Sequence, residues 1–569
     1  MQKVGFFLLF CWGVLAAPGA VNRHPLLEPA LPPAQNAAVQ GGLQVAALPE
    51  FARVEWDKPP ADTMPELQLK AWRGERAAGR VAAWSAGDEP QLSVRCSGLQ
   101  NELGQSLPVQ LGMLRYTAAH GQLYADVLGR ETVCDESARR VRPVWVQVDV
   151  PQHAAPGHYH GVLEVWSAAS AVQQVPVELE VLEPVLPAPA DWKIHLDLWQ
   201  HPQAVARWHG VEPWSAEHLA LLKPLMKRLA DAGQKAITCT IIDEAWNGQT
   251  YDWFPSLVRW VRGADGQMRY DFTAFDTWVD FMLNEVGIRG QISCYTMVPW
   301  SMKIRYYDEA SRTDRDLKLD VRTPQYEEIW GHFLSCFRAH LQQRGWLEKC
   351  CIALDERPDA MMLAARAVVQ KYAPELRIVS AVDKPSATTR EVYDISPILT
   401  HADSVSPELL RERKAQGRKT TFYVCLHPLK PNTFTMSPPA EAAWLGLFAA
   451  ANELDGFLRW AYNSWNRNPF ETTDFVQWPS GDCFLVYPGN LSSRRFEHLR
   501  DGFEDFEKVN LLRARAAELN TPEASALIGQ LNQELAALFT VARSKGDAHE
   551  ADVLRARELI NDAAAALLK

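Results

Sequence analysis

From about residue 40 to residue 183, hydrophobic and polar positions alternate along the chain. Val144, Val146 and Val148 are separated by Trp145 and Gln147, and the same two-residue period recurs at 175–181. Successive side chains of a strand point to opposite faces, so this alternation is typical of half-buried antiparallel strands. Several such strands at short spacing predict a β-sandwich over 21–185.

After the proline-rich segment 184–189, the pattern changes to apolar strand-like runs that alternate with helical stretches at 218–232, 272–286, 325–344, 361–372 and 439–453. Eight strands separated by helices over roughly 270 residues predict an α/β fold, a (β/α)8 TIM-like barrel at 190–470. An open doubly wound sheet has the same alternation, but it usually carries a Gly-rich phosphate loop after its first strand, which this sequence lacks. The predicted strands are 193–199, 235–242, 290–296, 349–354, 376–382, 398–404, 420–426 and 456–462.

The last section, 471–569, begins with two short strand-like runs at 475–478 and 483–487. The turn-forming residues between them predict a short β-hairpin. Phe496, Leu499, Phe503 and Phe506 then repeat every three or four residues, as on one face of an amphipathic helix. An alanine- and leucine-rich helical pattern continues to the end, so C-terminal helices are expected to serve packing rather than chemistry.

Composition narrows the classes of ligand. A chain of 569 residues is long enough for two to four domains, and 47% hydrophobic content is ordinary for globular proteins. The formal net charge of −11 and the lack of a basic cluster argue against nucleic acid and against an anionic membrane surface. A neutral or weakly charged ligand is favoured, and the oligomeric state is not specified.

The N-terminus has the pattern of a secretory signal at 1–20. Lys3 precedes the apolar run 4–10, and small residues follow at 16–20. This run is shorter than the ~20 residues that a membrane span requires, and no later segment is apolar enough to span. We therefore expect an exported protein, periplasmic or extracellular, without a transmembrane segment.

Without Cys11, nine cysteines remain, an odd number that does not resemble a disulfide framework. Most lie in apolar strand-like runs and are expected to be buried thiols, although Cys96 and Cys134 share the N-terminal domain and could pair. No cysteine and histidine spacing typical of zinc is present, so neither a metal nor another cofactor is predicted.

The dipeptide Asp355-Glu356 directly follows the apolar fourth strand, and Pro358 marks the end of that strand. Parallel α/β barrels keep their chemistry at the carboxyl ends of their strands. Two carboxylates there, in a chain with 21 Trp and 14 Tyr, predict glycoside hydrolysis with Asp355 and Glu356 as catalytic residues. A second pair, Asp243-Glu244, follows the second strand and is either a binder of sugar hydroxyls or a structural pair.

Aromatic and amide side chains cluster after the same predicted strands. A sugar ring presents apolar C–H faces between hydroxyls, so a binding site needs flat aromatic platforms beside hydrogen-bonding groups. Each of these side chains has burial in the core as its alternative. The predicted substrate-binding residues are Trp199, His201, Tyr295, Trp300, His427, Trp460, Tyr462, Asn463 and Trp465.

Several motifs resemble glycoside hydrolase family 123: GFLRWAYNSW at 456–465, RFEHLRDGFED at 495–505 and VPQHAAPGHYHG at 150–161. The resemblance implies a β-N-acetylgalactosaminidase that acts on a β-linked N-acetylhexosamine at the non-reducing end of a glycan. It also implies substrate-assisted catalysis, in which the 2-acetamido group attacks the anomeric carbon, Asp355 orients that group and Glu356 is the general acid and base. In the family, proline often follows the acidic pair directly, whereas here Arg357 intervenes.

Two other functions remain open at this stage. A glycan-binding protein without turnover would use the same aromatic cluster. A glycosidase with a protein nucleophile, acting on another β-linked sugar, would instead pair Glu356 with Asp243 or Glu244 across the substrate.

Overall fold

The computed structural model describes residues 28, 29 and 39–568. The expected signal at 1–20 and Cys11 lie outside the described residues. The N-terminal part is a sandwich of two sheets whose facing apolar side chains form one core. Its strands are β1 (Gln44–Leu48), β2 (Leu67–Arg73), β3 (Arg76–Trp84), β4 (Glu89–Cys96), β5 (Leu99–Gln100), β6 (Ser106–Leu107), β7 (Gln110–Ala119), β8 (Gln122–Leu128), β9 (Val133–Glu136), β10 (Val141–Asp149), β11 (Gly157–Trp166) and β12 (Gln173–Val185).

One sheet has the order β1-β3-β10-β7-β8, and the other has the order β2-β12-β11-β4-β9 with the β5-β6 pair attached to β11. Val144, Val146 and Val148 of β10 share one core with Val177 and Leu179 of β12. The alternating pattern therefore identified the strands correctly, and the predicted sandwich is confirmed. Cys96 and Cys134 lie on the neighbouring strands β4 and β9 as free thiols.

The second part contains eight parallel strands that form a nearly closed barrel, in the order β13-β24-β23-β22-β21-β20-β17-β14. The parallel bridge between Leu196 and Gln234 connects the two ends. A four-stranded sheet, β16-β15-β18-β19, is inserted at the carboxyl ends of β14 and β17. The strands are β13 (His195–Leu198), β14 (Ala236–Thr240), β15 (Arg259–Arg262), β16 (Met268–Asp271), β17 (Gln291–Tyr295), β18 (Lys303–Asp308), β19 (Thr313–Lys318), β20 (Cys350–Leu354), β21 (Arg377–Val382), β22 (Asp394–Pro397), β23 (Lys419–Tyr423) and β24 (Gly456–Arg459).

Seven barrel strands lie where the sequence predicted them, but the sixth prediction is wrong. The strand is Asp394–Pro397, and the expected segment forms a 3₁₀ turn, Leu399–Ser404. The strand was missed because it carries polar side chains, Asp394 and Ser396, into the buried interior. His195 on β13 reaches Asp394 across this interior at 3.0 Å.

The predicted helices of the barrel are confirmed. The helices are α1 (Pro202–His209), α2 (Ala216–Ala230), α3 (Thr273–Asp280), α4 (Pro324–Arg344), α5 (Asp359–Tyr372), α6 (Pro407–Ala415), α7 (Pro439–Ala451), α8 (Arg494–Leu519), α9 (Pro522–Leu538), α10 (Val541–Ser544) and α11 (His549–Leu567). Phe281–Val286 continues α3 as a π-helical turn. Among the described residues, no helix has the length and apolarity needed to cross a bilayer.

The β-hairpin expected at 475–487 does not form. The segment folds over the barrel without regular strands, held by single bridges such as Asn463 to Phe484. In its second apolar run, Phe484 and Val486 are fully buried, whereas Val476 of the first run is exposed. The strand-like pattern of the second run therefore reflected core packing. A short strand, β25 (Ser492–Ser493), then joins β8 of the sandwich.

A buried ion pair connects the sandwich to the start of α8. Arg495 Nε lies 2.9 Å from Asp126 Oδ2, and both side chains are almost inaccessible to solvent. Tyr487 donates a 2.7 Å hydrogen bond to the same carboxylate. Since breaking such a pair leaves an uncompensated buried charge, these contacts hold the sandwich firmly against the barrel.

Candidate active site

The two acidic residues singled out by the sequence lie at the carboxyl end of β20. The strand ends at Leu354, an irregular segment follows at 355–358, and α5 begins at Asp359. Because the backbone leaves the strand geometry here, Asp355 and Glu356 no longer have to point to opposite faces. The predicted strand end is confirmed, and both carboxylates lie at the barrel mouth.

Asp355 is held by a side chain from the loop after β17. Trp300 Nε1 donates a 2.9 Å hydrogen bond to Asp355 Oδ2. Burial raises the pKa of Asp355 above its usual value, while the Trp300 hydrogen bond, the backbone N–H of Glu356 and the charge of Arg357 oppose that rise. Three groups therefore favour the ionised carboxylate against its desolvation.

Glu356 has a different environment. Burial, followed by the negative charges of Asp355 and Asp383, raises the pKa of Glu356 to about 7. The hydroxyl of Tyr423, the last residue of β23, donates a hydrogen bond to Glu356 Oε1. A carboxyl group that titrates near neutral pH can both give and take a proton, as a general acid and base must.

Trp300 and Arg357 form one wall beside Asp355. The guanidinium of Arg357 lies over the Trp300 ring, 4.6 Å from its centre, in cation–π geometry. Its Nη2 also lies 3.3 Å from Met361 Sδ. Trp300 is 39% exposed, so its ring remains available to a ligand at the mouth.

Tyr295 and Trp199 back the site from within the barrel. Tyr295 is in register with Ala353, two residues before Asp355. Its ring centre lies 4.6 Å from that of Trp199, and both side chains are 2% exposed. Burial, together with the charges of Asp197 and Asp355, raises the pKa of Tyr295 well above its usual value. These rings support the acidic pair, and little of their surface is accessible.

His201 is packed in an aromatic environment with Trp246, Phe254 and Trp460 around its ring. Burial lowers the pKa of His201 to about 3, so its imidazole is neutral at physiological pH. Its backbone N–H and C=O bond the side-chain amide of Asn463, each at 3.0 Å. Both residues therefore serve to join the loops after β13 and β24.

The second acidic pair shapes its own loop. Asp243 Oδ1 accepts a 2.6 Å hydrogen bond from the Ser256 N–H, and Glu244 Oε1 accepts one of the same length from the Phe254 N–H. Burial raises the pKa of both carboxyls. Among the described residues, no hydrogen bond or ion pair connects either of them to Asp355 or Glu356.

The aromatic cluster after β24 is mostly core, contrary to expectation. Tyr462 is fully buried and donates to the Leu225 carbonyl at 3.0 Å. Trp465 is 1% exposed and donates to the Val486 carbonyl at 2.7 Å. Tyr462 and Trp465 are therefore wrong as exposed sugar platforms, because residues up to 491 fold back over them. Asn463, predicted to bond the sugar through its amide, is also fully buried and bonds the His201 backbone instead. Trp460 is half-buried, and its Nε1 donates to Asp482 at 3.0 Å.

His427 is exposed on the loop after β23, and its role in binding stays a prediction. Sequence reasoning missed Tyr423 and Asp383 and noted Arg357 only as a departure from a family pattern. Tyr423 ends β23, and Asp383 directly follows β21. The position at a strand end is the signal that identified Asp355, and it applies equally to these two residues.

One group of potential metal ligands lies elsewhere, between the sandwich and α8. Ligand atoms of Glu50, His498 and Asp501 all lie within 4.8 Å of one another. Burial, followed by the charges of nearby arginines, Arg80 first, lowers the pKa of His498 to about 3. Arg557 also pairs with Glu50. These cations oppose the binding of a metal ion at this position.

Two family models match the chain: glycoside hydrolase 123, catalytic domain, at residues 199–512, and glycoside hydrolase 123 N-terminal domain, at residues 50–167. A search of curated proteins found no match.

Among solved structures, a family 123 glycoside hydrolase from Clostridium perfringens, described for glycolipid glycan hydrolysis, has 24% identity and a TM-score of 0.84. The alignment covers 92% of this chain and 98% of that one. A Bacteroides ovatus GH5 xyloglucanase, with 8% identity over 81% of this chain and all of that one, has a TM-score of 0.29, too low to support any inference. The first likeness shows that the two chains share the sandwich-and-barrel fold.

Proposed function

This chain belongs to glycoside hydrolase family 123, and we propose that it is a retaining exo-β-N-acetylgalactosaminidase that uses the substrate's 2-acetamido group as nucleophile. Hydrolysis of a glycan substrate follows from the family, whereas the sugar and the mechanism are our proposal. The observation that supports them most strongly is the adjacent pair Asp355 and Glu356, whose carboxylates have different partners.

In the first step, the acetamido carbonyl oxygen forms a bond to the anomeric carbon while the bond from that carbon to the leaving oxygen breaks. Glu356 gives its proton to the leaving oxygen. A pKa of about 7 keeps a substantial fraction of Glu356 protonated at neutral pH, which suits this role. The product of this step is a cyclic oxazolinium ion.

Asp355 accepts a hydrogen bond from the acetamido N–H and offers its negative charge to the positive charge that develops on that group. This role requires a carboxylate that is ionised and oriented towards the acetamido group. The hydrogen bond from Trp300 supports both requirements, because it fixes one oxygen and favours the charged form.

In the second step, Glu356, now a carboxylate, takes a proton from a water molecule that attacks the anomeric carbon on the side vacated by the leaving group. The bond to the acetamido oxygen breaks, and the acetamido group is restored. Two successive inversions at the same carbon retain the anomeric configuration.

A protein nucleophile is disfavoured by the positions of the other candidate carboxylates. A retaining enzyme of that type needs two carboxyl groups about 5–5.5 Å apart across the sugar. Asp243 and Glu244 instead accept backbone hydrogen bonds within their own loop. Asp355 and Glu356 are adjacent, and Asp243 and Glu244 are engaged within their own loop. Both observations support attack by the substrate's own acetamido group.

We further propose that the protein is exported, on the basis of the signal-like pattern at 1–20. The similar Clostridium perfringens enzyme is described for the hydrolysis of glycolipid glycans. A glycoconjugate that ends in a β-linked N-acetylgalactosamine is therefore the substrate class to test first.

A chromogenic aryl β-N-acetylgalactosaminide tests the proposal. We expect turnover, release of the β-anomer by NMR, and competitive inhibition by a thiazoline mimic of the oxazoline. A covalent adduct on a carboxylate after incubation with a 2-fluoro glycoside, with indifference to the thiazoline, would overturn the mechanism. Binding of the sugar by calorimetry without any turnover would instead favour the glycan-binding alternative.

A further inference from the structure

Three arginines near the barrel mouth, on helix α1, on strand β18 and on the loop after β20, stack on exposed aromatic rings. Arg207 lies over Tyr251 at 4.7 Å and Arg305 over Trp253 at 4.9 Å, in addition to Arg357 over Trp300. The first two are neutralised, since Arg207 pairs with Asp252 and Arg305 pairs with Asp316.

Arg357 differs from the other two. Among the described residues, it forms no salt bridge, and the one hydrogen bond of its guanidinium goes to the weak acceptor Met361 Sδ. Its Nε is buried and has no hydrogen-bond partner in the part of the chain that the structure describes. A half-buried guanidinium without an anion is costly, and this one lies next to the acidic pair. The charge of Asp355 acts on it from nearby, but within the described part of the chain no carboxylate forms an ion pair with it.

The side of the site on which this cation lies follows from its contacts. Arg357 stacks on Trp300, which in turn donates to Asp355, whereas Glu356 is held from the other direction by Tyr423. In the proposed mechanism, Asp355 binds the group on C2 and Glu356 lies at the leaving group on C1. The guanidinium therefore lies beyond C2, along the edge of the sugar that carries O3 and O4.

We propose that Arg357 binds a sulfate ester at O3 or O4 of the terminal N-acetylgalactosamine, so that the enzyme prefers sulfated over neutral substrates. This inference rests on the proposed function, because the position of the sugar is taken from it. The guanidinium fork suits an oxyanion, and the Trp300 ring beneath it keeps its plane fixed. A local cation is also needed for such a substrate, since Asp355, Glu356 and Asp383 are all acidic and the chain carries a formal charge of −11.

The test compares 4-methylumbelliferyl β-N-acetylgalactosaminide with its 3-, 4- and 6-O-sulfates. The wild-type enzyme should give a kcat/KM at least ~10-fold higher on the 3- or 4-sulfate than on the neutral substrate, as expected for a hydrogen bond to a charged group. The preference should appear mainly in KM and should decrease as sodium chloride is added.

Arg357→Gln should lose this preference, and Arg357→Lys should keep part of it. Arg305→Gln is the matched control, because it removes a stacked arginine that already has a carboxylate partner; its preference should equal that of the wild type. Equal losses on sulfated and neutral substrates in Arg357→Gln would overturn the inference, since they would show that Arg357 acts only through Asp355.

The failure of this inference can be distinguished from failure of the proposed function. Turnover of the neutral substrate without any preference for a sulfate would refute the sulfate site and leave the function intact. If the wild type turns over none of the four substrates, the function fails, and calorimetry with free N-acetylgalactosamine 4-sulfate and 3-sulfate decides the inference. Binding that is as tight in a folded Arg357→Gln variant as in the wild type would overturn it.

Discussion

Trp300 and Asp355, 55 residues apart in the sequence, are joined by a 2.9 Å hydrogen bond from the indole N–H to the carboxylate. The donor lies on the loop after β17, and the acceptor follows the neighbouring strand β20. This contact couples an exposed ring that a sugar can touch to the carboxylate that is proposed to orient the nucleophile.

Trp300→Phe removes this donor and keeps a ring for Arg357 to stack on. Loss of the hydrogen bond raises the pKa of Asp355, because the bond favours its charged form. Asp355 must be ionised to act. As the pH is lowered, the variant should therefore lose activity at a higher pH than the wild type does. The acid limb of the kcat/KM profile should move upward, and kcat should fall ~10-fold. An unchanged acid limb would contradict the role of Trp300.

Asp355→Asn keeps the shape of the side chain and removes its charge. The neutral amide stabilises the oxazolinium ion less well, so kcat should fall by ~10²–10³-fold. The thiazoline inhibitor should also bind more weakly. Asp243→Asn is the comparison: a larger loss there than in Asp355→Asn would favour the protein-nucleophile alternative.

Glu356→Gln removes the proton donor and should lower turnover of natural glycosides by at least ~10²-fold. With a 2,4-dinitrophenyl glycoside, whose leaving group needs little protonation, the rate of the first step should fall less. Substrate binding, measured by calorimetry, should survive. Near-full activity on an unactivated substrate would show that another residue is the acid.

The pH dependence of the basic limb tests the environment of Glu356. Since the acid must be protonated and its pKa is about 7, kcat/KM should fall as the pH rises above about 7. Tyr423→Phe removes a donor to the carboxylate, which raises the pKa and moves the limb upward. Asp383→Asn removes a negative charge and should move the limb downward. If Tyr423→Phe and Asp383→Asn moved the basic limb in the same direction, the assignment of that limb to Glu356 would be wrong.

Trp465→Ala should destabilise the protein rather than weaken substrate binding. Its side chain is 1% exposed and bonds the Val486 carbonyl, so truncation should lower the free energy of unfolding by ~3–5 kcal/mol in urea denaturation. Trp253→Ala is the control, because Trp253 is 52% exposed and should be nearly neutral. A Trp465→Ala variant with wild-type stability and weakened binding would restore the sequence-based expectation.

Sequence patterns determined the architecture because they report on burial along the chain. Alternating valines predicted β10 and β12, and the alternation of apolar runs with helical stretches predicted seven of the eight barrel strands. The pair Asp355-Glu356 was found from one local fact, that it ends an apolar strand. The same logic failed at two places. At 398–404 it missed the neighbouring strand because that strand carries polar residues, and at 475–487 it predicted strands from apolar residues that pack in the core without forming a sheet.

Only the tertiary structure decided which side chains meet at the site. Tyr423 reaches Glu356 over 67 residues, and Trp300 reaches Asp355 over 55, because parallel strands bring their carboxyl ends together irrespective of spacing along the chain. The pKa of Glu356 likewise depends on desolvation and on neighbouring charges that are remote in sequence, such as Asp383. Trp465 and Trp300 look alike in the sequence, but one is covered by segment 460–491 and the other is open at the mouth. Burial and contact are properties of the folded surface, which no local pattern of residues records.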